Sequence, residues 1–167
     1  CEMNGKNADM PMNIQTKILK VGESFTICDE NNETAILLLS GDVNYLFNDK
    51  TENAKRANQF IDRPYCVHFS KNNTVTVTAN ADSRLLSQQT DNENNFGYVW
   101  YSPDNVILQE FGKDQWNGTA HRQVLTLFDY ENAPYSNMVL GEVIHKPGCW
   151  SSYPPHYHPQ PEVYYYE

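Results

Sequence analysis

Two histidines near the end of the chain, His156 and His158, have a spacing that suits a metal ion. Side chains alternate across a β-strand, so positions i and i+2 lie on one face about 7 Å apart and both imidazoles can reach one ion. Pro159 and Pro161 cannot extend a hydrogen-bonded ladder, so we expect the chain to turn there and bring Glu162 back beside the pair. Two imidazoles and a carboxylate with open coordination positions are typical of sites that hold a divalent transition metal and bind a substrate. The alternative is that the histidines occupy polar surface or half-buried strand positions.

The residues around this motif resemble a known family. The segment His156-x-His158-x-x-x-Glu162 is similar to the first metal motif of the cupin barrels. The wider sequence resembles more specifically the 5-deoxy-glucuronate isomerase family of inositol catabolism, which is related to the uronate ketol-isomerases of pectin breakdown. The stretches that carry this resemblance are Leu140-Gly-Glu-Val-Ile-His-Lys-Pro-Gly148, Trp150-Ser-Ser-Tyr-Pro-Pro-His-Tyr-His158 and Glu162-Val-Tyr-Tyr-Tyr166, with weaker similarity at 37–41 and 122–125.

The resemblance implies a bicupin enzyme that interconverts an aldose and a ketose. Its substrate would be 5-deoxy-glucuronate and its product 2-deoxy-5-keto-gluconate. The cofactor would be a divalent metal ion, zinc or manganese, with iron as a further option. The ion would polarise the substrate carbonyl and stabilise an enediolate, while a positioned base carries the proton. The sequence identifies no side chain as that base, so the catalytic residue is unknown.

The carboxylate of a sugar acid requires a cation. The planar fork of arginine suits a carboxylate better than lysine does, which makes Arg122 the first candidate for substrate binding and Lys146 the second. An ordinary surface or salt-bridging role is the alternative for Arg122. His121 and His145 flank these cations without ligand spacing, and we expect both to be ordinary polar residues. Trp150, Tyr153 and the tyrosine run 164–166 could line a sugar pocket, or they could belong to the barrel core or a subunit interface.

The composition limits the partners and the cellular location. The 167 residues carry a formal charge of -9 with no basic stretch, which argues against nucleic acid and anionic membranes as partners. The absence of a run of about 18 apolar residues or a signal peptide predicts a cytoplasmic protein. Its four cysteines, Cys1, Cys28, Cys66 and Cys149, lie far apart and are predicted to be free thiols.

Short strands with little helical periodicity predict an all-β fold. The apolar run 34–39 is expected to be a central strand buried on both faces, ending in a tight turn at Ser40-Gly41, with 42–47 as its hairpin partner and a polar stretch over 48–57. The other predicted strands are 14–20, 24–28, 66–69, 74–78, 83–86, 98–101, 106–108, 121–128, 138–144 and 163–166. Together with the resemblance, this pattern predicts an antiparallel cupin-type barrel (jelly roll) followed by the start of a second cupin barrel.

The predicted domains are a flexible tail over 1–12, a first barrel with a linker over 13–97, and the opening part of a metal-binding barrel over 98–167. His68 has no partner at motif spacing, so we expect a packing or surface residue in a first barrel without metal. A cupin ion normally takes a further histidine from a later strand. We therefore expect this sequence to be the amino-terminal portion of a longer protein.

The predicted strand 163–166 has an open edge, which favours a homo-oligomer. Two further functional hypotheses stay open. One is a metal-free bicupin fragment that binds or assembles without catalysis. The other is an iron-dependent cupin oxygenase, because the same two-histidine, one-carboxylate set serves such enzymes. The Ser-Ser-Tyr-Pro-Pro context favours the isomerase.

Overall fold

The computed structural model describes residues 2–5, 10–152 and 155–167. In these ranges the chain is built from β-strands and a 3₁₀ turn, and no helix there is long and apolar enough to span a membrane. The strands are β1 (Glu2–Met3), β2 (Met12–Leu19), β3 (Ser24–Cys28), β4 (Asn32–Phe47), β5 (Lys50–Arg56), β6 (Tyr65–Phe69), β7 (Thr74–Ala79), β8 (Ser83–Asp91), β9 (Tyr98–Tyr101), β10 (Ile107–Phe111), β11 (Arg122–Phe128) and β12 (Leu140–His145). The 3₁₀ turn spans Trp116–Gly118. The all-β prediction is confirmed.

The first barrel is built around the long strand β4. Its amino-terminal half pairs with β8 and β6 in a sheet of order β1-β2-β8-β4-β6-β9, and its carboxy-terminal half pairs with β5 and β7, with β3 beyond β7. All of these pairings are antiparallel. Strand β4 thus joins two sheets, and the barrel encloses a hydrophobic core between them.

Alternate residues of β4 face two different hydrophobic clusters. Ile36 and Leu38 lie in the barrel interior. Leu37 and Leu39 face the opposite side, where they pack in a second cluster with residues of β11 and β12. Because both faces are covered, the unbroken apolar run of β4 is explained, and the prediction of a strand buried on both faces is confirmed.

The predicted turn at Ser40-Gly41 is wrong. Strand β4 continues through both residues with a register shift between Leu38 and Ser40. Gly41 has a φ of 120° and lies so close to Ser83 that a Cβ there would collide with it. The glycine therefore lets the strand bend from one sheet into the other instead of reversing.

The reversal comes at Asn48 and Asp49, which both have positive φ (48° and 57°). Two consecutive left-handed residues make the tight turn that matches the twist of paired strands. Strand β5 then pairs antiparallel with the end of β4. The sequence predicts only a polar stretch over 48–57, so the presence of this strand corrects that expectation.

A second sheet, of order β10-β11-β12, packs against the outer face of the first barrel. Leu125, Leu127 and Leu140 contribute to the cluster between them. Strand β9 pairs with β6 and thus belongs to the first sheet. The change of sheet therefore falls after Tyr101, which differs from the predicted domain boundary at 97.

The two ends of the chain also differ from their predicted forms. In the predicted tail, β1 pairs with Ile14 and Gln15 of β2, while residues 1 and 6–9 lie outside the described part. At the other end, 163–166 is not a strand. Val163 and Tyr165 pack instead against the cluster between barrel and second sheet, so side-chain contacts hold this segment where a backbone ladder was expected.

Candidate functional site

The two motif histidines lie in an irregular segment after β12 and not on a strand, contrary to the prediction. Pro155, Pro159 and Pro161 surround them, and prolines cannot donate to a ladder. The His156 and His158 rings are nevertheless neighbours, with centroids 5.5 Å apart. Tyr153, a predicted pocket residue, lies outside the described residues.

His158 and Glu162 come together across the proline-containing turn. His158 Nε2 lies 3.4 Å from Glu162 Oε2. His158 Nδ1 lies 2.8 Å from the carbonyl oxygen of Gln160, which can only accept a hydrogen bond, so Nδ1 is the donor in this contact and, in the neutral ring, Nε2 carries the lone pair. This is the tautomer in which metal-binding histidines are held by a backbone carbonyl. Two ligands about 2.0–2.1 Å from one tetrahedral ion are themselves about 3.3 Å apart, close to the separation of these two atoms.

The other oxygen of Glu162 is held by a tyrosine. The Tyr164 hydroxyl donates to Glu162 Oε1 at 2.7 Å, and this hydrogen bond raises the pKa of Tyr164 to about 12. The described residues contain no group of three histidine, cysteine, aspartate or glutamate side chains arranged to hold a metal. The donor types of His158 and Glu162, and the 3.4 Å between them, suit a divalent ion. His156 lies beside them but does not complete a set of three metal ligands.

The two predicted substrate cations lie at one corner of the second sheet. Arg122 begins β11 and is the register partner of His145, which ends β12, and Lys146 follows directly. The Arg122 guanidinium lies over the Phe111 ring at 5.3 Å, and its Nη1 donates to the carbonyl of Ala120. Lys146 is exposed.

A tryptophan pair joins the 3₁₀ turn before β11 to the segment after β12. Trp116 and Trp150 meet edge to face with ring centroids 4.6 Å apart and are 51% and 41% exposed. Trp116 has a φ of 52°, which is rare for a bulky residue. Thr119 holds this geometry, because its hydroxyl donates to the Trp116 carbonyl and its own carbonyl accepts from Trp150 N–H. No motif or spacing in the sequence indicated a role for Trp116.

Sequence reasoning also missed a buried polar pair in the first barrel. His68 is fully buried and stacked on Phe128 with centroids 4.1 Å apart, so of its two predicted roles, packing or surface, the structure shows packing. Its Nε2 lies 2.9 Å from Glu33 Oε2, and Glu33 is also fully buried. Glu33 further accepts hydrogen bonds from the Asn137 amide and the Ser136 hydroxyl. The pair joins the barrel to the loop that precedes β12.

The antiparallel strands define an all-β protein of the cupin type, as predicted. The chain belongs to the KduI/IolB family, whose model matches residues 1–167. It is 26% identical over 161 residues to the 5-deoxy-glucuronate isomerase of Halalkalibacterium halodurans, in an alignment that covers 89% of this chain and 58% of that protein. The crystal structure of an IolB-like protein from Salmonella typhimurium LT2 is similar, with a TM-score of 0.72, 21% identity, and coverage of 79% of this chain and 50% of that one. The chain thus spans about half the length of the relatives it matches, and the family resemblance seen in the sequence is confirmed.

Proposed function

We propose that this chain is part of a metal-dependent aldose–ketose isomerase that converts 5-deoxy-glucuronate to 2-deoxy-5-keto-gluconate in inositol catabolism. The observation that carries the proposal is the approach of His158 Nε2 to Glu162 Oε2 within a chain that matches the KduI/IolB family along its whole length. A relative in that family is named as a 5-deoxy-glucuronate isomerase, which supports the substrate.

His156, His158 and Glu162 are the proposed metal ligands, for zinc or manganese, with iron as a further option. A bound divalent ion would polarise the substrate carbonyl and stabilise an enediolate. The Gln160 carbonyl orients His158 by holding its Nδ1 proton, and the Tyr164 hydroxyl orients Glu162. With these contacts made, His158 Nε2 and Glu162 Oε2 can bind the same ion.

Arg122 and Lys146 are the proposed binding groups for the substrate carboxylate. An arginine fork can bind both oxygens of a carboxylate, and a protein with a formal charge of -9 repels an anion unless cations are gathered locally. We assign no proton-carrying base. We further propose that the protein is cytoplasmic, in line with the sequence argument and with a relative that is named as a metabolic enzyme. A homo-oligomer is proposed as well, although 163–166 is not the open-edged strand on which that expectation was based.

Metal content tests this proposal most directly. The chain is purified without chelators, and its zinc, manganese and iron are measured by elemental analysis. We expect about one ion per chain in the wild type and a loss of most of that metal in His158→Ala and Glu162→Gln, because each removes one ligand. Glu131→Gln is the matched control, since Glu131 is an exposed carboxylate in a turn outside the motif.

A second experiment measures activity: the conversion of 5-deoxy-glucuronate is followed by NMR with each metal added in turn. Isomerisation that disappears in His158→Ala supports the proposal. Oxygen consumption with iron would instead support a cupin oxygenase. A wild-type chain that binds no metal even with excess zinc or manganese would contradict the proposal and favour a metal-free binding or assembly role.

A further inference from the structure

The segment after the proline-containing turn has two different faces. Glu162 and Tyr164 are exposed and make the hydrogen bond described for the candidate metal site. Val163 and Tyr165, between and after them, are half-buried against the cluster between barrel and second sheet. Burial thus alternates from residue to residue, as in an extended chain. One face of the segment rests on the protein, and the other carries the candidate metal ligand.

The face that rests on the protein ends in a group of hydrogen bonds on Glu167. Arg84, on strand β8 of the first barrel, donates from Nη2 to Glu167 Oε1 and, at 3.2 Å, to the Tyr165 hydroxyl. The Tyr165 hydroxyl in turn donates to the same Glu167 oxygen at 2.5 Å. The Glu167 side chain is 18% exposed. Hydrogen bonds to a charged carboxylate are the strong ones, so these three side chains fix one another's positions.

The other oxygen of Glu167 is held by a second part of the first barrel. Gln59, in the loop after β5, donates from Nε2 to Glu167 Oε2 at 3.1 Å. The buried Arg56 fixes this loop, because it donates to the Gln59 carbonyl at 3.1 Å while it pairs with Glu142 of β12. Glu167 is therefore attached to two separate elements of the first barrel, and one of them is tied to the second sheet.

The attachment lies close to the candidate ligand along the chain. Tyr165 follows Glu162 by three positions and Glu167 follows it by five. An extended chain rises about 3.3 Å per residue, so a detached end would let Glu162 move by several ångströms. Groups that act together in a site must be held within about 0.5 Å of their productive geometry. Attaching the segment on folding removes this freedom before a ligand binds, and binding then loses less free energy to ordering.

We propose that Arg84 is a positioning residue for the candidate metal site. It anchors the end of the segment, Tyr165 and Glu167, to the first barrel, and this anchor keeps Glu162 beside His158. The inference deepens the proposed function and rests on it for the identity of the bound group, a divalent metal ion. The first barrel contributes none of the candidate ligands, and its strand β8 supplies the support on which one of them depends.

Zinc titration of the purified chain against a chromophoric chelator tests the inference, because it measures affinity. Arg84→Ala should weaken zinc binding about tenfold, as expected when a group that orients a metal ligand is removed. Arg84→Lys should recover part of the loss, because the ammonium group can still donate to Glu167. Lys20→Ala is the matched control: it removes another exposed ion pair of the first barrel, with Asp82, and should leave zinc affinity unchanged.

A double-mutant cycle separates positioning from general destabilisation. If Arg84 acts through Glu167, Glu167→Ala should lower zinc affinity about as much as Arg84→Ala, and the double variant should lose little more than either single variant. Urea denaturation of the metal-free proteins should show similar small losses of stability for Arg84→Ala and Lys20→Ala, with zinc affinity lowered only in the first. Unchanged zinc affinity in Arg84→Ala would overturn the inference, and so would additive losses in the cycle.

An NMR measurement without metal distinguishes failure of this inference from failure of the proposed function. We expect nuclear Overhauser contacts between the His158 ring and the Glu162 side chain in the metal-free wild type and in Lys20→Ala, and their loss in Arg84→Ala. Contacts that persist in Arg84→Ala, or that are missing from the wild type, would overturn the positioning role. A chain that binds no zinc yet shows contacts dependent on Arg84 would contradict the metal proposal and leave the positioning role standing.

Discussion

Arg56 and Glu142 form a two-point ion pair that joins the first barrel to the second sheet. Arg56 Nη1 and Nη2 donate to Glu142 Oε1 and Oε2, both at 2.7 Å. Arg56 is 0% exposed, and its remaining contacts go to the backbone carbonyls of Leu38, Gln59 and Asp62. The second sheet is therefore fixed to the barrel by a buried, fully hydrogen-bonded charge as well as by apolar packing.

Replacing Glu142 with alanine should destabilise the protein strongly. The change leaves the Arg56 guanidinium buried without its counter-charge, which costs about 3–5 kcal/mol of unfolding free energy. We expect the lower end of that range because the Glu142 side chain is 15% exposed. Urea denaturation at neutral pH measures the effect, with Glu131→Ala as an exposed control that should change stability by less than about 0.5 kcal/mol. If Glu142→Ala lowers the unfolding free energy as little as the Glu131→Ala control does, apolar packing alone is sufficient to hold the sheet on the barrel.

The Glu33–His68 pair should be needed to hold the loop before β12. Glu33→Ala removes the acceptor of the buried His68 ring and of the Asn137 amide, which lies 2.7 Å from Glu33 Oε1. Two unsatisfied groups should cost about 2–4 kcal/mol, while Ser136→Ala, which removes one weaker donor, should cost about 1 kcal/mol. Hydrogen exchange gives a local readout: the Asn137 amide should lose protection in Glu33→Ala. Retained protection would mean that the loop is held by other contacts.

The cysteines should differ sharply in reactivity. Burial raises the pKa of the Cys66 thiol, so it stays neutral and inaccessible at pH 8, whereas Cys28 is exposed and Cys149 half-buried. In a Cys1→Ser background, which removes the thiol outside the described residues, we expect fast labelling of Cys28 by an aromatic disulfide reagent and labelling of Cys66 only after unfolding. Cys28→Ser should abolish the fast phase. A fast phase that persists in that variant would contradict the assignment.

The end of the described chain should stay attached to the barrel at neutral pH and loosen in acid. A hydrogen bond from Arg84 holds the pKa of the Glu167 carboxyl below its ordinary value of 4.5. A lowered folded-state pKa means that the contact stabilises the folded state above the unfolded pKa and is lost as pH falls through the folded pKa. An NMR titration of the Glu167 carboxyl should show this low pKa in the wild type and a return toward 4.5 in Arg84→Ala. An unchanged pKa in the variant would show that Arg84 is not its cause.

Much of the strand pattern could be predicted because it is local. Strand β3 lies where the sequence placed it, the threonine–valine alternation of 74–78 marks β7, and the unbroken apolar run of β4 correctly indicated burial on both faces. A period of two is a property of neighbouring residues and needs no knowledge of the partner strand. The same reasoning failed at Gly41, because a glycine permits a reversal and a bend alike, and the close approach of Ser83 decides between them.

The approach of His158 to Glu162 could also be predicted from sequence, because the two residues lie four positions apart and the prolines limit the path between them. Their role as metal ligands with His156 stays a prediction. The pairings of Arg56 with Glu142, Glu33 with His68, and Arg122 with His145 were not readable. Each joins residues from different strands, and which strands pair, and in which register, depends on long-range packing. The residue types and their spacing in the sequence therefore indicate which side chains could function in a site. Which of the distant side chains meet was determined by the packing of the second sheet on the barrel, because only burial and strand register bring distant residues together.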